Sequence, residues 1–396
     1  MQNGGASKNK PRILILVRYY IPGYKSGGQL RSVANIVNKY SNEYDFRIIC
    51  IDRDLGDTSP YKNILSNSWN RIGNANVIYI NKGLFTCWNI IKIIRETPHD
   101  IIYLNSFFDG LFTVCPLIAH CLFMISRTPI IMAVRGELAP GALHFKYWKK
   151  HAYITIFKKL RIINAILWQA SSHDEAEDIW RNIGRSIRVR IAPDLPSSMS
   201  IQSTPSLPNN VLGVIKIIYL SRIDRIKNLK YALHILSNTE VHVVFNIYGE
   251  VDDMKYWNEC LTCIKSLPSQ IKVNYLGHIP HERVGEEMAK HDLFFLPTLS
   301  ENYGHVIYEA LASGVPVLIS DKTPWRNLEK FGVGYDITLT DSNRFIEIIK
   351  MHAFMSETDR AKIRSHVHRY AKNMFNSEDV ISANRNLFEE AMRDRS

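Results

Sequence analysis

The chain has 396 residues, 46% of them hydrophobic and 22% charged. That length exceeds one ordinary core and fits two domains of about 150–200 residues, and the composition excludes a disordered or fibrous chain. The formal charge of +11 favours anionic partners, whether nucleic acid, an anionic membrane or phosphorylated substrates.

Apolar, β-rich runs alternate with helical ones, the pattern of βα units and parallel sheets. Strands are expected at 13–17, 46–51, 77–80, 101–104, 130–134, 165–168 and 189–191. Several are apolar almost throughout, as strands covered on both faces should be. Residues 194–210 read DLPSSMSIQSTPSLPNN, a Pro- and Ser-rich stretch without periodicity, and so a linker. The pattern restarts with strands at 215–220, 241–248, 273–276, 293–296 and 315–319, a short one near Tyr335, and a helical tail from Asp341. The expected domains are 1–198 and 211–375, with 376–396 a C-terminal helix able to pack back on the first.

In chain order, the first motif is YYIPGYKSGGQLR at 19–31, between the first strand and the first helix. Gly27 and Gly28 suit a loop passing close to a phosphate; a flexible turn is the plain alternative. The uncharged run 110–126 falls short of the ~20 residues a spanning helix needs and reads as a buried crossover helix. The stretch AVRGELAPGAL at 133–143 places Arg135 and Glu137 at a strand end; they read as acceptor-side residues, with a structural Arg–Glu pair as the alternative. From Leu138 to His173 there is no Asp or Glu, while Lys146, Lys149, Lys150, Lys158, Lys159 and Arg161 interleave with aromatics. That mixture suits a membrane interface, in two short helical pieces, on the domain expected to receive an acceptor. The six cysteines sit mostly beside apolar residues and read as reduced, buried thiols of a cytosolic protein. Cys260 and Cys263 are a lone C-x-x-C, read as two ordinary helix positions.

In IIYLSRIDRIKNL, Arg222 ends a strand and Lys227 starts a helix. Two cations there can neutralise a diphosphate leaving group in place of a metal. Arg225 is a competitor for that role. The densest signal is LFFLPTLSENYGHVIYEALASGVPVLIS, a strand, loop, helix and strand in sequence. Glu301 precedes the helix and Glu309 lies within it. Asn302, Tyr303, Gly304 and His305 occupy the helix start, where unpaired N–H groups and the dipole bind anions. A carboxylate such as Glu309 can accept two hydrogen bonds from a ribose diol.

This segment resembles the E-x-x-x-x-x-x-x-E element of retaining glycosyltransferase family 4. The resemblance spans most of the chain and is strongest from Ser221 to Trp325. It implies a GT-B fold, two doubly wound Rossmann-like domains facing a cleft. It implies donor-sugar contact at Glu301, sugar and diphosphate held by the turn amides, and ribose held by Glu309. Arg222 and Lys227 match the family's G-R-x-x-x-x-K-G element, with Ser221 and Asn228 in place of the two glycines. The glycine loop at Gly27–Gly28 matches one that covers the donor diphosphate, and R-G-E-L-x-P-G-A-L is similar to members acting on bacterial surface polysaccharides. Gln169 stands where related members carry His, so that His's role does not transfer. Asp52-Arg53-Asp54 spells the metal motif of the other transferase fold and is set aside.

The implied activity is retaining, metal-independent sugar transfer from a nucleotide-diphosphate sugar to a glycan acceptor, lipid-linked, in O-antigen, capsule or exopolysaccharide synthesis. No cofactor, metal or nucleic acid is expected. The expected place is the cytoplasm, peripheral on the inner face of the membrane. The alternatives are a GT-B nucleotide-sugar epimerase and an inactive nucleotide-sugar-binding subunit.

Overall fold

The computed structural model describes residues 10–144, 147–159, 161–197 and 211–394. Most of the expected linker at 194–210 lies outside them. The chain divides into two compact units, 1–195 with 378–396, and 196–377.

The first unit runs β1 (Arg12–Leu16), α1 (Gly28–Tyr40) and β2 (Asp45–Ile51), then a hairpin of β3 (Trp69–Ile72) and β4 (Ala75–Ile80). It continues through α2 (Cys87–Glu96), β5 (Ile101–Leu104), α3 (Cys115–Cys121), β6 (Ile130–Ala133), α4 (Pro140–His144) and α5 (Tyr147–Lys159). β7 (Ile166–Ala170), α6 (His173–Asn182) and β8 (Arg188–Ile191) follow. The sheet order is β3-β4-β2-β1-β5-β6-β7-β8, parallel except at β3. Every residue of β5, β6 and β7 is buried, which is why these strands are apolar apart from the hydrogen-bonded Gln169 of β7. One face of the sheet packs against α2, α3, α5 and α6, through Ile90, Leu117, Phe157 and Ile179. The other packs against α1 and the chain's last helix, through Val33, Tyr40 and Phe388. Asn384 of that helix donates to the Pro193 carbonyl at 2.8 Å, and Arg385 pairs with Glu43 at 2.9 Å.

β3 is not among the expected strands. It is an edge strand with alternating exposure and few apolar residues, so its burial signal is weak. Its two-residue Gly73–Asn74 turn is the feature that marks a hairpin. Two further expectations need correction. Cys87 and Cys115 form a disulfide. They are 28 residues apart, but each begins a helix on the same sheet face, and strand order brings those helix starts together. The run 110–126 is not one buried crossover helix. A wide turn over Gly110–Val114 leads into the short α3, Phe123 takes a positive φ of 56°, and Ile118, Leu122 and Phe123 are exposed. The acid-free stretch forms α4 and α5 as two pieces, with Phe145 and Lys146 outside the described residues.

The second unit comprises β9 (Val214–Leu220), α7 (Leu229–Ser237), β10 (His242–Tyr248), α8 (Met254–Lys265), β11 (Ile271–Gly277) and α9 (His281–Ala289). β12 (Leu293–Leu296), α10 (His305–Ala312), β13 (Val317–Ser320), β14 (Gly334–Ile337), α11 (Ser342–Ala353) and α12 (Glu357–Phe375) follow. The sheet order is β11-β10-β9-β12-β13-β14, parallel throughout. The chain then crosses to the first unit as α13 (Glu378–Arg393). In both sheets the winding reverses at a central pair, β1/β5 in the first and β9/β12 in the second. Doubly wound sheets bind ligands outside the carboxyl ends of the strands at such a reversal.

Candidate active site

In the second unit the loops after β9 and β12 flank the reversal. Gly249 allows the end of β10 to lie against the end of β9, since a Cβ there would meet the Ser221 carbonyl oxygen at 1.8 Å. The two loops are tied by backbone groups. The Ile226 carbonyl accepts from Leu299 N at 2.7 Å and from Thr298 Oγ1 at 3.0 Å, and Asn228 Nδ2 donates to the Pro297 carbonyl at 3.0 Å. Asn228 has φ 56° at the N-cap of α7. That left-handed backbone explains why Asn suits a position where the motif has Gly.

This bracing sets Lys227 Nζ 2.5 Å from Glu301 Oε2, with both side chains largely buried. Arg222 is more exposed and pairs with Asp252 and, at 3.6 Å, with Asp224. Arg225, the competing cation, is held by Glu259 at 2.5 Å and by Asp253 at 3.5 Å on α8 and its N-cap. Gly304 caps α10 with φ 77°. That left-handed backbone favours glycine, and a Cβ there would also press on the side chains of Ile307 at 2.8 Å and Glu301 at 3.1 Å. Asn302 and Tyr303 fill the turn between Glu301 and Gly304. The Tyr303 carbonyl accepts from Trp325 Nε1 at 2.6 Å, and its ring lies 4.7 Å from that of His305. Glu309 sits one to two turns into α10, buried, with Oε1 3.6 Å from His281 Nδ1. The site therefore gathers Lys227, Glu301 and the α10 N-terminus beyond the adjacent ends of β9 and β12, with Arg222 available to a ligand only if its pair with Asp252 opens. Each cation has a carboxylate partner, so an arriving diphosphate exchanges partners rather than meeting bare charge.

In the first unit the reversal holds a cavity of about 310 Å³, lined among others by Arg18, Tyr19, Gln29, Ser106, Phe108 and Glu137. Glu137 is half-buried and accepts four hydrogen bonds: from Phe107 N at 2.7 Å, Phe108 N at 3.0 Å, Ser106 Oγ at 2.8 Å and Gln29 Nε2 at 3.2 Å. Burial pushes its pKa above the ordinary carboxylate value, against the pull of those donors. Arg135 does not line the cavity. It is buried, donating to Asn105 Oδ1 at 2.8 Å and Tyr103 Oη at 2.6 Å and pairing with Asp194. It follows β6, an interior strand, and its guanidinium holds Asn105, which does line the cavity. The expected structural alternative, an Arg–Glu pair, is not what forms: Arg135 pairs with Asp194, while Glu137 is held by Ser106, Gln29 and two backbone amides. Gln169 is buried, accepting from Tyr103 Oη at 2.6 Å and donating to the Ala192 carbonyl at 2.9 Å.

Gly27 takes φ 67° at the N-cap of α1, and Gly28 begins that helix. Asp54, from the D-x-D sequence, accepts from Tyr24 N at 2.7 Å and Lys25 N at 3.1 Å, so it anchors the loop leading to these glycines. Asp52 is occupied by Arg53 and Ser66, each at 2.9 Å. Asp54's anchoring role is not legible from its D-x-D motif, and Trp325, Arg18 and Asp109 stand in no spaced motif; each acts through a partner distant in sequence.

Residues 208–372 match the model of the family described as Glycosyl transferases group 1. A curated relative, an uncharacterised 41.2 kDa protein in the cps region of Klebsiella pneumoniae, is 23% identical over 368 residues, covering 89% of this chain and 94% of that one. HepE of Anabaena, solved in complex with UDP and glucose, superposes with a TM-score of 0.72 at 19% identity, over 96% of this chain and 99% of that one. WaaG, a glycosyltransferase involved in lipopolysaccharide biosynthesis, superposes with a TM-score of 0.65 at 13% identity, over 95% and 98%. The fold of both units is that of these GT-B proteins.

Proposed function

With a Glycosyl transferases group 1 domain on a GT-B fold as the premise, we propose that this protein is a retaining, metal-independent glycosyltransferase. It moves a sugar from a nucleotide-diphosphate sugar to a glycan acceptor, lipid-linked, in surface polysaccharide synthesis. The observation that carries this is the pairing of Lys227 with Glu301 beside the Gly304 cap of α10, with Glu309 buried in the same helix. The cps-region relative supports the pathway, and the UDP and UDP-glucose complexes of HepE support the donor class.

In this reading Glu309 holds the ribose, and Asn302, Tyr303, Gly304 and the His305 amide hold the sugar and diphosphate. Gly27 and Gly28 are assigned to the diphosphate as well. As the bond to the sugar breaks, negative charge grows on the leaving phosphate. Lys227, Arg222 and the helix N-terminus are fixed positive groups that stabilise it without a metal. Glu301, released from Lys227, lies at the donor sugar. The acceptor hydroxyl attacks from the face the phosphate leaves, and its proton goes to that phosphate.

Slow donor hydrolysis without acceptor, measured over a panel of nucleotide sugars with and without EDTA, tests the reading. Hydrolysis of one donor class that survives chelation is expected. Turnover stopped by EDTA and restored by manganese would overturn metal independence, and no hydrolysis or binding of any donor would overturn the activity.

A further inference from the structure

The first unit's cavity has a charge arrangement that the proposed function leaves unexplained. Arg18 stands at its mouth, where a cation commonly marks a site for phosphate or carboxylate. Here the guanidinium is already taken. Its Nε lies 2.6 Å and its Nη2 3.0 Å from the two carboxylate oxygens of Asp109. The plane is further confined by the rings of Phe85 and Phe112, at 5.4 and 5.9 Å. Asp109 is itself pinned, because its Oδ1 also accepts from Leu111 N at 3.0 Å and Phe112 N at 2.9 Å. Thr113 Oγ1 donates to the Ser106 carbonyl at 2.6 Å, and the Cys87–Cys115 disulfide holds the far end of the segment. The wall is rigid, and turning Arg18 toward a ligand would leave a buried carboxylate without its counter-charge, a strongly unfavourable exchange.

The other charged lining group is Glu137, and it is acidic. Lys150 does not line the cavity; its ammonium donates to the Ala142 carbonyl at 2.7 Å and sits 4.9 Å from the Phe108 ring centre. The lining thus sums to one excess negative charge, from Asp109 and Glu137 against Arg18. The rest is amide, hydroxyl and aromatic: Gln29, Asn105, Ser106 and Thr113 with Tyr19 and Phe108. A small cavity with aromatic walls and a few neutral polar groups, at a strand-order reversal, suits a compact polyhydroxyl ligand.

We infer that this cavity receives an uncharged sugar ring of the acceptor, and that Asp109, by neutralising Arg18, excludes sugars bearing carboxylate or phosphate. The inference rests on the glycosyltransferase reading for the word acceptor, but the selectivity belongs to the cavity itself.

Saturation-transfer NMR tests it, using the methyl glycosides of glucose, galactose, mannose and N-acetylglucosamine as neutral probes. Methyl glucuronide and mannose 6-phosphate serve as anionic ones. Wild type is expected to bind at least one neutral probe and neither anion. Tyr19→Ala should weaken the neutral probe by roughly tenfold through loss of an aromatic wall. Asp109→Asn keeps a side chain able to cap the following turn; it should admit an anionic probe roughly tenfold more tightly while retaining the neutral one. Should that variant fail to fold, the double variant Arg18→Gln with Asp109→Asn decides, because it removes both charges and leaves no buried carboxylate unpaired: neutral binding persists if the pair is only a neutralised wall. Loss of all glycoside binding in the folded double variant, anion binding by wild type equal to neutral binding, or no neutral probe bound would each overturn the inference. Nucleotide-sugar binding is read on the same samples. Donor binding without glycoside binding defeats this inference alone, whereas selective glycoside binding without any donor defeats the proposed function and leaves the cavity's selectivity standing.

Discussion

Lys227 Nζ lies 2.5 Å from Glu301 Oε2, a contact across 74 residues of sequence. Both side chains are mostly withdrawn from water, so each is the other's main neutraliser. Lys227→Ala is expected to lower kcat/KM by about 10²–10³-fold, the range for removing one preorganised charge-stabilising donor. Glu301→Gln should lower kcat far more than it changes donor affinity. Steady-state kinetics with the hydrolysed donor checks both, and wild-type kcat in either variant would remove the pair from the reaction.

Glu309 is buried on α10 and faces His281 rather than Lys227. Its assigned work is ribose binding, so Glu309→Ala should weaken nucleotide-sugar affinity by about 1.5–3 kcal/mol, the range for hydrogen bonds to a charged group. Isothermal titration against UDP-sugars and other nucleotide sugars reads this directly. Unchanged affinity, with the variant folded by circular dichroism, would withdraw Glu309 from the donor site.

On α5, Trp148, Ala152 and Ile156 recur at every fourth residue on the exposed side, with Trp148 83% and Ile156 64% exposed. Lys149, Lys158 and Lys159 are exposed on the same helix. Lys150 is not part of that face, since it bonds the Ala142 carbonyl. An exposed aromatic flanked by lysines suits an anionic bilayer surface, at about 1 kcal/mol per lysine. Sedimentation with phosphatidylglycerol liposomes should show binding that falls steeply with salt. Changing Lys149, Lys158 and Lys159 to Glu should abolish it and leave donor binding intact. Equal sedimentation of wild type and the triple variant would defeat the membrane reading.

His352 is buried beside Tyr335, and desolvation lowers its pKa to about 4. The folded state therefore resists protonation that the unfolded chain accepts near pH 6.5. Below that pH the unfolded state binds more protons, so stability falls as pH drops from about 6.5 to about 4, by about 1.4 kcal/mol per unit at most. His352→Gln should flatten this part of the curve. Urea denaturation at pH 7 and pH 4.5 measures it, and an equal loss in both proteins would show that His352 is not the group responsible.

The alternation of apolar strands with helices determined the two parallel sheets, because a strand covered on both faces has to be apolar along its length, as in IIYL and IIMA. The spacing of Glu301, Gly304 and Glu309 was likewise legible, since a strand, a tight turn and a helix start are local events. Local pattern says nothing of which strand lies beside which, and that order decided the rest. It brought Lys227 to Glu301, Arg18 to Asp109 across 91 residues, and Cys87 to Cys115. It also turned Arg135 inward, onto Asp194 and Asn105, although its place after a strand had marked it equally well for the surface of a site. A side chain's neighbours are set by sheet order and burial, and for a charged group those neighbours decide whether it meets a ligand or braces the residue that does.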